Sequence, residues 1–171
     1  MAEGHWSDPR DVTAADRQAC EAFGCCGSSA KYGATDIQRQ VNDGKAIRRA
    51  GVETDHVFAG IFDEDGRLAG VAYHEPVPDS QRRVGVEARY LRFAALHDHY
   101  QQRTDPQGTR YSDLLLTMAH VDIQTRYPDT DAVLVRVHRG HARSVAMLHR
   151  AGYEPVPGTG GGDPLHIRAL R

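Results

Sequence analysis

The sequence predicts a mixed α/β fold organised around a parallel pair of strands. Two observations predict it. After residue 55, β-prone apolar runs alternate with helical ones, which is the signature of a layered α/β domain. A long strand at residues 84–96 is followed by a helix at 112–127 and then by a second apolar strand at 131–138, the layout of a right-handed crossover with parallel pairing. The expected architecture is a mixed sheet of about six to seven strands with a central parallel pair, flanked by about four helices. It should span 1–171 as a single domain, with residues 1–10 flexible.

Composition supports a globular chain. The 171 residues are 40% hydrophobic and 26% charged, with a formal net charge of −2, so there is no bulk electrostatic drive toward nucleic acid or an anionic membrane. No apolar run approaches the roughly 18 residues of a membrane span. The N-terminus Met-Ala-Glu-Gly-His lacks the shape of a signal peptide. Cys20, Cys25 and Cys26 are odd in number and include an adjacent pair, which makes no disulfide framework and points to the reducing cytoplasm. Their spacing does not suit a metal site either, so no metal is expected.

In order along the chain, residues 11–23 suit a short helix with Thr13 as its cap. Residues 24–33 are rich in Gly, Ser and Cys and read as a loop. Thr35 opens a helix, with Gln38 completing a capping box and Gly51 following its end; Gly44 weakens its middle. Residues 56–62 and 68–73 are β-prone and flank the turn Asp63-Glu-Asp-Gly66, which predicts a hairpin. Residues 76–83 form a loop. In the strand at 84–96, alternation puts Tyr90, Arg92, Ala94 and Leu96 on one face and Leu91, Phe93 and Ala95 on the other. The helix at 112–127 turns Leu115, Met118 and Ala119 to one side and stops at Pro128. The strand at 131–138, a helix at 141–151 ended by Gly152, a short strand at 153–156, a Gly-rich loop at 158–163 and a last strand at 165–170 complete the chain.

The stretch from Leu91 to Met118 carries the functional signal. It runs strand, polar loop with Gly108, then helix start. A helix N-terminus presents unpaired N–H groups and the positive end of the dipole, so this layout can hold a phosphate. Two segments then resemble a known family. Ala94-Ala-Leu-His-Asp-His-Tyr-Gln101, with Gln107-Gly-Thr-Arg-Tyr-Ser-Asp-Leu-Leu-Leu116, resembles the acyl-CoA motif of the GNAT N-acetyltransferases. His141-Ala-Arg-Ser-Val-Ala-Met-Leu-His-Arg-Ala-Gly-Tyr153 resembles the family's closing helix beside the pantetheine arm. The likeness covers most of the chain beyond about residue 35.

The resemblance implies acetyl-CoA as cosubstrate and direct attack by an amine of a small molecule or peptide. It implies that the loop Gln107, Gly108, Thr109, Arg110, Tyr111 and Ser112 holds the pyrophosphate on its amides. Pantetheine would add to the strand edge at Ala94, Ala95 and Leu96, with His141 and Ser144 beside it. An N–H near Leu96 would polarise the thioester carbonyl. The sequence departs from the family at several positions. Arg110 and Ser112 occupy small-residue slots of the loop, and residues 102–106 are extra. The base slots on the strand hold Tyr90 and Arg92, and the helix position of the general acid holds Leu148. Tyr90, His97 and Glu87 are the proton-transfer candidates, with His99 as a further neighbour.

Each of these residues also has a structural reading. Tyr90 can be a packed aromatic, His97 and His99 exposed loop residues, His141 a helix cap and Ser144 a small packing residue. Arg82, Arg83 and Arg89 can form a solvated edge or recognise an anionic substrate. Two alternatives accompany the enzyme reading. One is a GNAT-type toxin that acetylates aminoacyl-tRNA, suggested by Phe23-Gly-Cys-Cys-Gly27 and opposed by the negative net charge. The other is a GNAT fold with altered or lost catalysis that serves as a binding module. A homodimer through the last strand is also expected from the family.

Overall fold

The computed structural model describes residues 6–25, 34–82, 85–158 and 162–170; expectations placed on other residues, including Cys26, Arg83 and Val84, lie outside the described ones. The helix expected at 11–23 is shorter than the sequence suggests. Arg10 and Asp11 form an edge strand, β1 (Arg10–Asp11), opposite Gly60 and Ala59. Tertiary pairing overrides the local helical preference there. A 3-10 turn, Ala14–Asp16, and a single helical stretch, α1 (Arg17–Glu21), follow. Thr13 does act as a cap, in a capping box with Asp16.

The helix expected to begin at Thr35 is two helices, α2 (Ala34–Asn42) and α3 (Lys45–Val52). Gly44, at φ 65°, breaks them apart in a left-handed conformation that glycine adopts without strain. Gln38 does not serve only its own helix: its Oε1 accepts the Cys25 amide at 2.9 Å. Asn42 donates to the carbonyls of Cys20, Glu21 and Phe23, which closes the end of α1 onto α2.

The remaining elements are β2 (Val57–Phe62), β3 (Leu68–Pro76), β4 (Ala88–Leu96), α4 (Tyr111–Arg126), β5 (Ala132–Arg136), α5 (Ala142–Arg150), β6 (Glu154–Pro155) and β7 (Leu165–Ala169). They build a seven-stranded sheet in the order β1-β2-β3-β4-β5-β7-β6. β4 and β5 run parallel, as the crossover predicts, and the other neighbours are antiparallel. β3 extends past Tyr73 through His74 and Glu75, beyond the strand run expected at 68–73. No helix among the described residues is long and apolar enough to cross a membrane.

Side-chain alternation along β4 is interrupted. Tyr73 lies opposite Phe93 and His74 opposite Leu91, so Arg92 is an extra residue, a β-bulge. Phe93 and Ala95 pack with Val41, Phe58 and Tyr73 under α1–α3. Leu91 packs instead with Leu116, Ala119 and Ile123 of α4, with Ala94 against the same cluster. The strict alternation expected over 90–96 is therefore corrected: Tyr90 shares the α2 face with Phe93 and Ala95, while Leu91, Ala94 and Leu96 face α4. One inserted residue inverts the parity.

α4 buries polar residues as well as apolar ones. Its Asp122 accepts from His74 Nε2 at 3.1 Å and from Arg126 at 2.8 Å. Arg89 donates to His74 Nδ1 at 3.1 Å, donates to the Asp55 carbonyl, and lies 3.9 Å over the Tyr127 ring. Arg89 is thus a buried organiser and not part of a solvated edge. His120 makes a second buried link. Arg168 donates to its Nδ1 at 2.6 Å and its Nε2 meets the Tyr153 hydroxyl at 2.7 Å. Burial, then the Arg168 charge, push the His120 pKa down to about 3.

Two predictions follow from this packing. A Cβ added at Gly70 would lie 2.9 Å from Leu115 Cδ1, because α4 approaches β3 closely there. Gly70→Ala is expected to cost on the order of 1–3 kcal/mol by overpacking, read as a lower urea midpoint at unchanged slope; an unchanged midpoint would contradict the close approach. His120 is neutral in the folded state and has a pKa well below the ordinary 6.5. Its contribution to stability is complete above the unfolded value and is lost as pH falls from about 6.5 toward 3, at a limiting slope of about 1.4 kcal/mol per pH unit. His120→Gln keeps a donor and an acceptor but does not titrate, so urea titrations between pH 7 and 4 should show a shallower pH dependence than the parent.

Candidate active site

β4 and β5 pair only from Ala88 opposite Ala132 to Leu91 opposite Val135. Beyond that point β4 continues for five residues on its pairing with β3, while β5 ends at Arg136. The two strands part, and the β5-facing edge of β4 has no strand partner from Arg92 onward. The bulge at Arg92 sits at the point of parting, where its added twist turns β4 away from β5. The opening is a cavity of about 720 Å³. It runs through the sheet, since its walls include Ala94 and Leu96 on the α4 face, and Phe93 with Ile37 of α2 on the other.

The α4 side is lined by Leu115, Leu116, Met147 and Leu148, with Ser144 at the start of α5. This is a narrow apolar channel beside an open main-chain edge. It suits a thin chain that carries amides, which can pair with the strand as another strand would. The Leu96 carbonyl is already occupied by the Gln101 side chain at 3.1 Å. His141 is the cap of α5, and its Nδ1 accepts the Ser144 amide at 3.1 Å. Burial lowers its pKa first of all, which favours the neutral ring that this bond needs.

The loop before α4 departs from expectation. The Gly108 amide donates to the Asp105 carbonyl at 3.0 Å and the Thr109 amide to Asp105 Oδ1 at 2.7 Å. The Tyr111 amide donates to the Arg103 carbonyl at 3.2 Å, and its ring stacks on Trp6 with centroids 4.8 Å apart. The amides of Gly108, Thr109 and Tyr111 are therefore consumed by a self-contained turn, the Tyr111 ring by core packing, and Gln107 does not line the cavity. The loop instead presents Gln101 to Thr104, Arg110 and Ser112 to the cavity. The Asp105-Pro-Gln-Gly108 signature of a turn was readable in the sequence.

Charge separates this cavity from the rest of the molecule. Its wall carries Arg92, Arg103, Arg110, Arg136, Arg143 and Arg150 and, among the described residues, no Asp or Glu. The chain as a whole has 23 acidic and 21 basic residues, so this concentration is local. Arg150 is paired with Asp113 at 2.7 Å and Arg92 with Glu75 at 2.9 Å. A concave surface of one sign focuses its field and attracts anions.

The proton-transfer candidates are not brought together. Tyr90 is half-buried on the α2 face, just before the strands part; burial raises its pKa, and the nearby charges of Arg136 and Arg92 oppose that rise. Glu87 is exposed at the far end of β4, where its carbonyl accepts the Asp131 amide. His97 lies past the end of β4, caps a 3-10 turn through the His99 amide, and packs edge-on to Phe23. His99 is exposed beside Tyr100. Leu148 is a buried core residue.

Sequence reasoning missed the polar group on the α2 face. Glu75 is buried, accepts from Arg92 and lies 3.3 Å from His56 and 4.0 Å from Arg49. His56 also meets Tyr73 at 2.8 Å and Glu53 at 3.1 Å. Arg136 was likewise missed, although it ends an apolar strand at alternate spacing from Leu134. The signal for Glu75 was the continued alternation of β3, hidden by Pro76.

No protein-family model and no curated protein sequence matches this chain. Solved structures do. The N-acetyltransferase PaiA from Thermoplasma acidophilum, determined with coenzyme A, matches over 97% of this chain and 99% of its own, with 14% identity and a TM-score of 0.66. The GNAT domain of PAT from S. lividans matches over 98% and 97%, with 13% identity and a TM-score of 0.70. Spermidine N-acetyltransferase from Vibrio cholerae, determined with CoA and spermine, matches over 96% and 95%, with 8% identity and a TM-score of 0.65. Identities this low carry architecture and not chemistry, and the architecture of this chain is the GNAT acetyltransferase fold.

Proposed function

We propose that this chain is an acetyl-CoA-dependent N-acetyltransferase acting by direct attack of an amine. One observation carries the reading: an unpaired strand edge opens onto a cavity whose helix side holds Arg103, Arg110, Arg143 and Arg150 and whose wall has, among the described residues, no carboxylate. Coenzyme A is a long polyanion with an amide-bearing arm, and the two halves of the site answer its two halves. The neighbours solved with CoA share this fold.

Acetyl-CoA supplies an acyl group activated as a thioester. The chain's part is to bind, orient and polarise. Arg110, Arg143 and Arg103 face phosphate, with the amides of Arg110 and Ser112 at the start of α4 adding the dipole of a 16-residue helix. The edge of β4 offers main-chain N–H groups to amides and to the carbonyl that gains charge during attack. Ala94 and Ala95 keep this edge clear of bulky side chains. The amine enters from the α2 face, through the opening beneath Phe93.

Tyr90 has a raised pKa and stays protonated near neutrality, so it acts as a hydrogen-bond donor and not as a base. Leu148 offers the leaving sulfur no proton. A thiol with an ordinary pKa of about 8.5 leaves as thiolate without an obligatory acid, so this substitution is compatible with turnover. In the overall reaction the nitrogen–acyl bond forms and the carbon–sulfur bond breaks. Of the two protons lost by the ammonium, one ends on the thiol and one in solvent.

Isothermal calorimetry tests the reading. Acetyl-CoA is expected to bind one per chain, and Arg110→Ala and Arg143→Ala should each weaken binding about tenfold through loss of a charge-assisted phosphate contact. No heat of binding with the pure protein would refute it. Tight binding without acetylation of any amine would instead support a binding module.

A further inference from the structure

Strand alternation and the Arg92 bulge divide the six cavity arginines between two faces of the sheet. Arg103 and Arg110 belong to the loop before α4 and the cap of α4, and Arg143 and Arg150 belong to α5. These four lie with the helices that the cosubstrate phosphates would meet. Arg92 and Arg136 are placed differently. Val133 and Val135 of β5 pack toward α4 and α5, and Leu134 packs on the opposite face with Tyr90. Arg136 follows Leu134 at the strand period and so projects to that opposite face. Arg92 projects there too, since it pairs with Glu75, which lies with Arg49 and His56 on the α3 side.

The two guanidiniums therefore flank the closed end of the opening on the acceptor side, one on each parting strand. The Tyr90 hydroxyl, outside the cavity wall, feels the charge of both. It has no hydrogen-bond partner among the described residues. The carboxylates of this face have cations of their own: Glu75 accepts from Arg92 through Oε1, while its buried Oε2 makes no hydrogen bond among the described residues but lies 3.3 Å from His56 and 4.0 Å from Arg49, and Glu53 answers Arg49 and His56. Arg136 is in surplus. Among the described residues its side chain forms no ion pair, and its hydrogen bond goes to the neutral carbonyl of Asp163 at 2.7 Å. A polycation would meet net positive charge here, whereas an oxyanion would meet two guanidiniums.

We propose that the acceptor is an amine that itself carries an oxyanion, and that Arg136 and Arg92 hold that group while the amine nitrogen faces the thioester. The inference rests on the acetyltransferase reading and names its substrate class: a small zwitterion whose anionic end is a carboxylate or a phosphorus oxyanion.

The test uses the full chain and begins with acetyl-CoA calorimetry, then follows thiol release with matched acceptors. The set is amino acids, their α-amides, aminoalkylphosphonates and spermidine. An anionic acceptor is expected to exceed its uncharged amide in kcat/KM by about tenfold or more, and the ranking of carboxylates against phosphonates identifies the group. Arg136→Gln should raise KM for that acceptor by about tenfold with a smaller change in kcat, Arg136→Lys should recover part of the loss, and neither should alter acetyl-CoA affinity. If acetyl-CoA binds but amides or spermidine are preferred, or no acceptor in the set is acetylated, the anionic-acceptor proposal is overturned while the cosubstrate reading stands. If acetyl-CoA does not bind, the enzyme reading falls and this proposal with it.

Discussion

The structure depends on a parallel pairing that stops. β4 and β5 are bonded over four residues and then separate, which leaves a row of main-chain donors and acceptors without a strand partner in the middle of a sheet. Such groups carry a free-energy penalty wherever they are buried unpaired. The fold tolerates them because the gap is a cavity and not a packed interface. Everything around the gap serves either to keep the strands together below it or to keep them apart above it.

Below the parting, the polar cluster of His74, Asp122, Arg89 and Arg126 ties β3, β4 and α4 together, and Arg126 reaches Asp11 of β1 at 2.8 Å. Each bond in it requires a defined tautomer: Arg89 donates to His74 Nδ1, so the ring proton lies on Nε2, facing Asp122. An Arg–His–Asp chain resembles catalytic machinery, yet His74 is fully buried and none of these residues lines the cavity. Its role is to hold the closed end. Above the parting, Leu148, Met147 and Leu116 fill the space between α4, α5 and the sheet with apolar side chains, and Gln101 fixes the turn at the end of β4 through the carbonyls of Leu96 and Cys25.

The sequence made the frame legible and the site only partly so. The hairpin, the β4–α4–β5 crossover and the α5 helix with its terminal Gly152 all rest on periodicity and turn chemistry, which are local. The errors come from tertiary terms. Arg10 and Asp11 became strand because a neighbouring edge was available to pair with. The loop amides of Gly108 and Thr109 turn inward because Asp105 supplies both with acceptors a few residues away. Glu75 stayed invisible because a charged residue next to a proline reads as loop until a partner such as Arg92 is placed beside it.

The bulge at Arg92 shows how one residue sets chemistry as well as shape. Without it, residues 90, 92, 94 and 96 would share a face; with it, Phe93 joins Tyr90 and Arg92 on the α2 side, and Ala94 and Leu96 turn with Leu91 toward α4. The inserted residue brings Ala94 to the side of Leu91, where both meet the apolar side chains of α4 and α5. It also ends the pairing with β5, since a strand that twists more sharply cannot keep register with a straighter neighbour. The same local irregularity sits where the sheet opens and exposes the edge that an amide chain can use. The division of positive charge between the two faces follows from strand alternation, and it is what allows the proposed cosubstrate and the proposed acceptor to be held by different arginines.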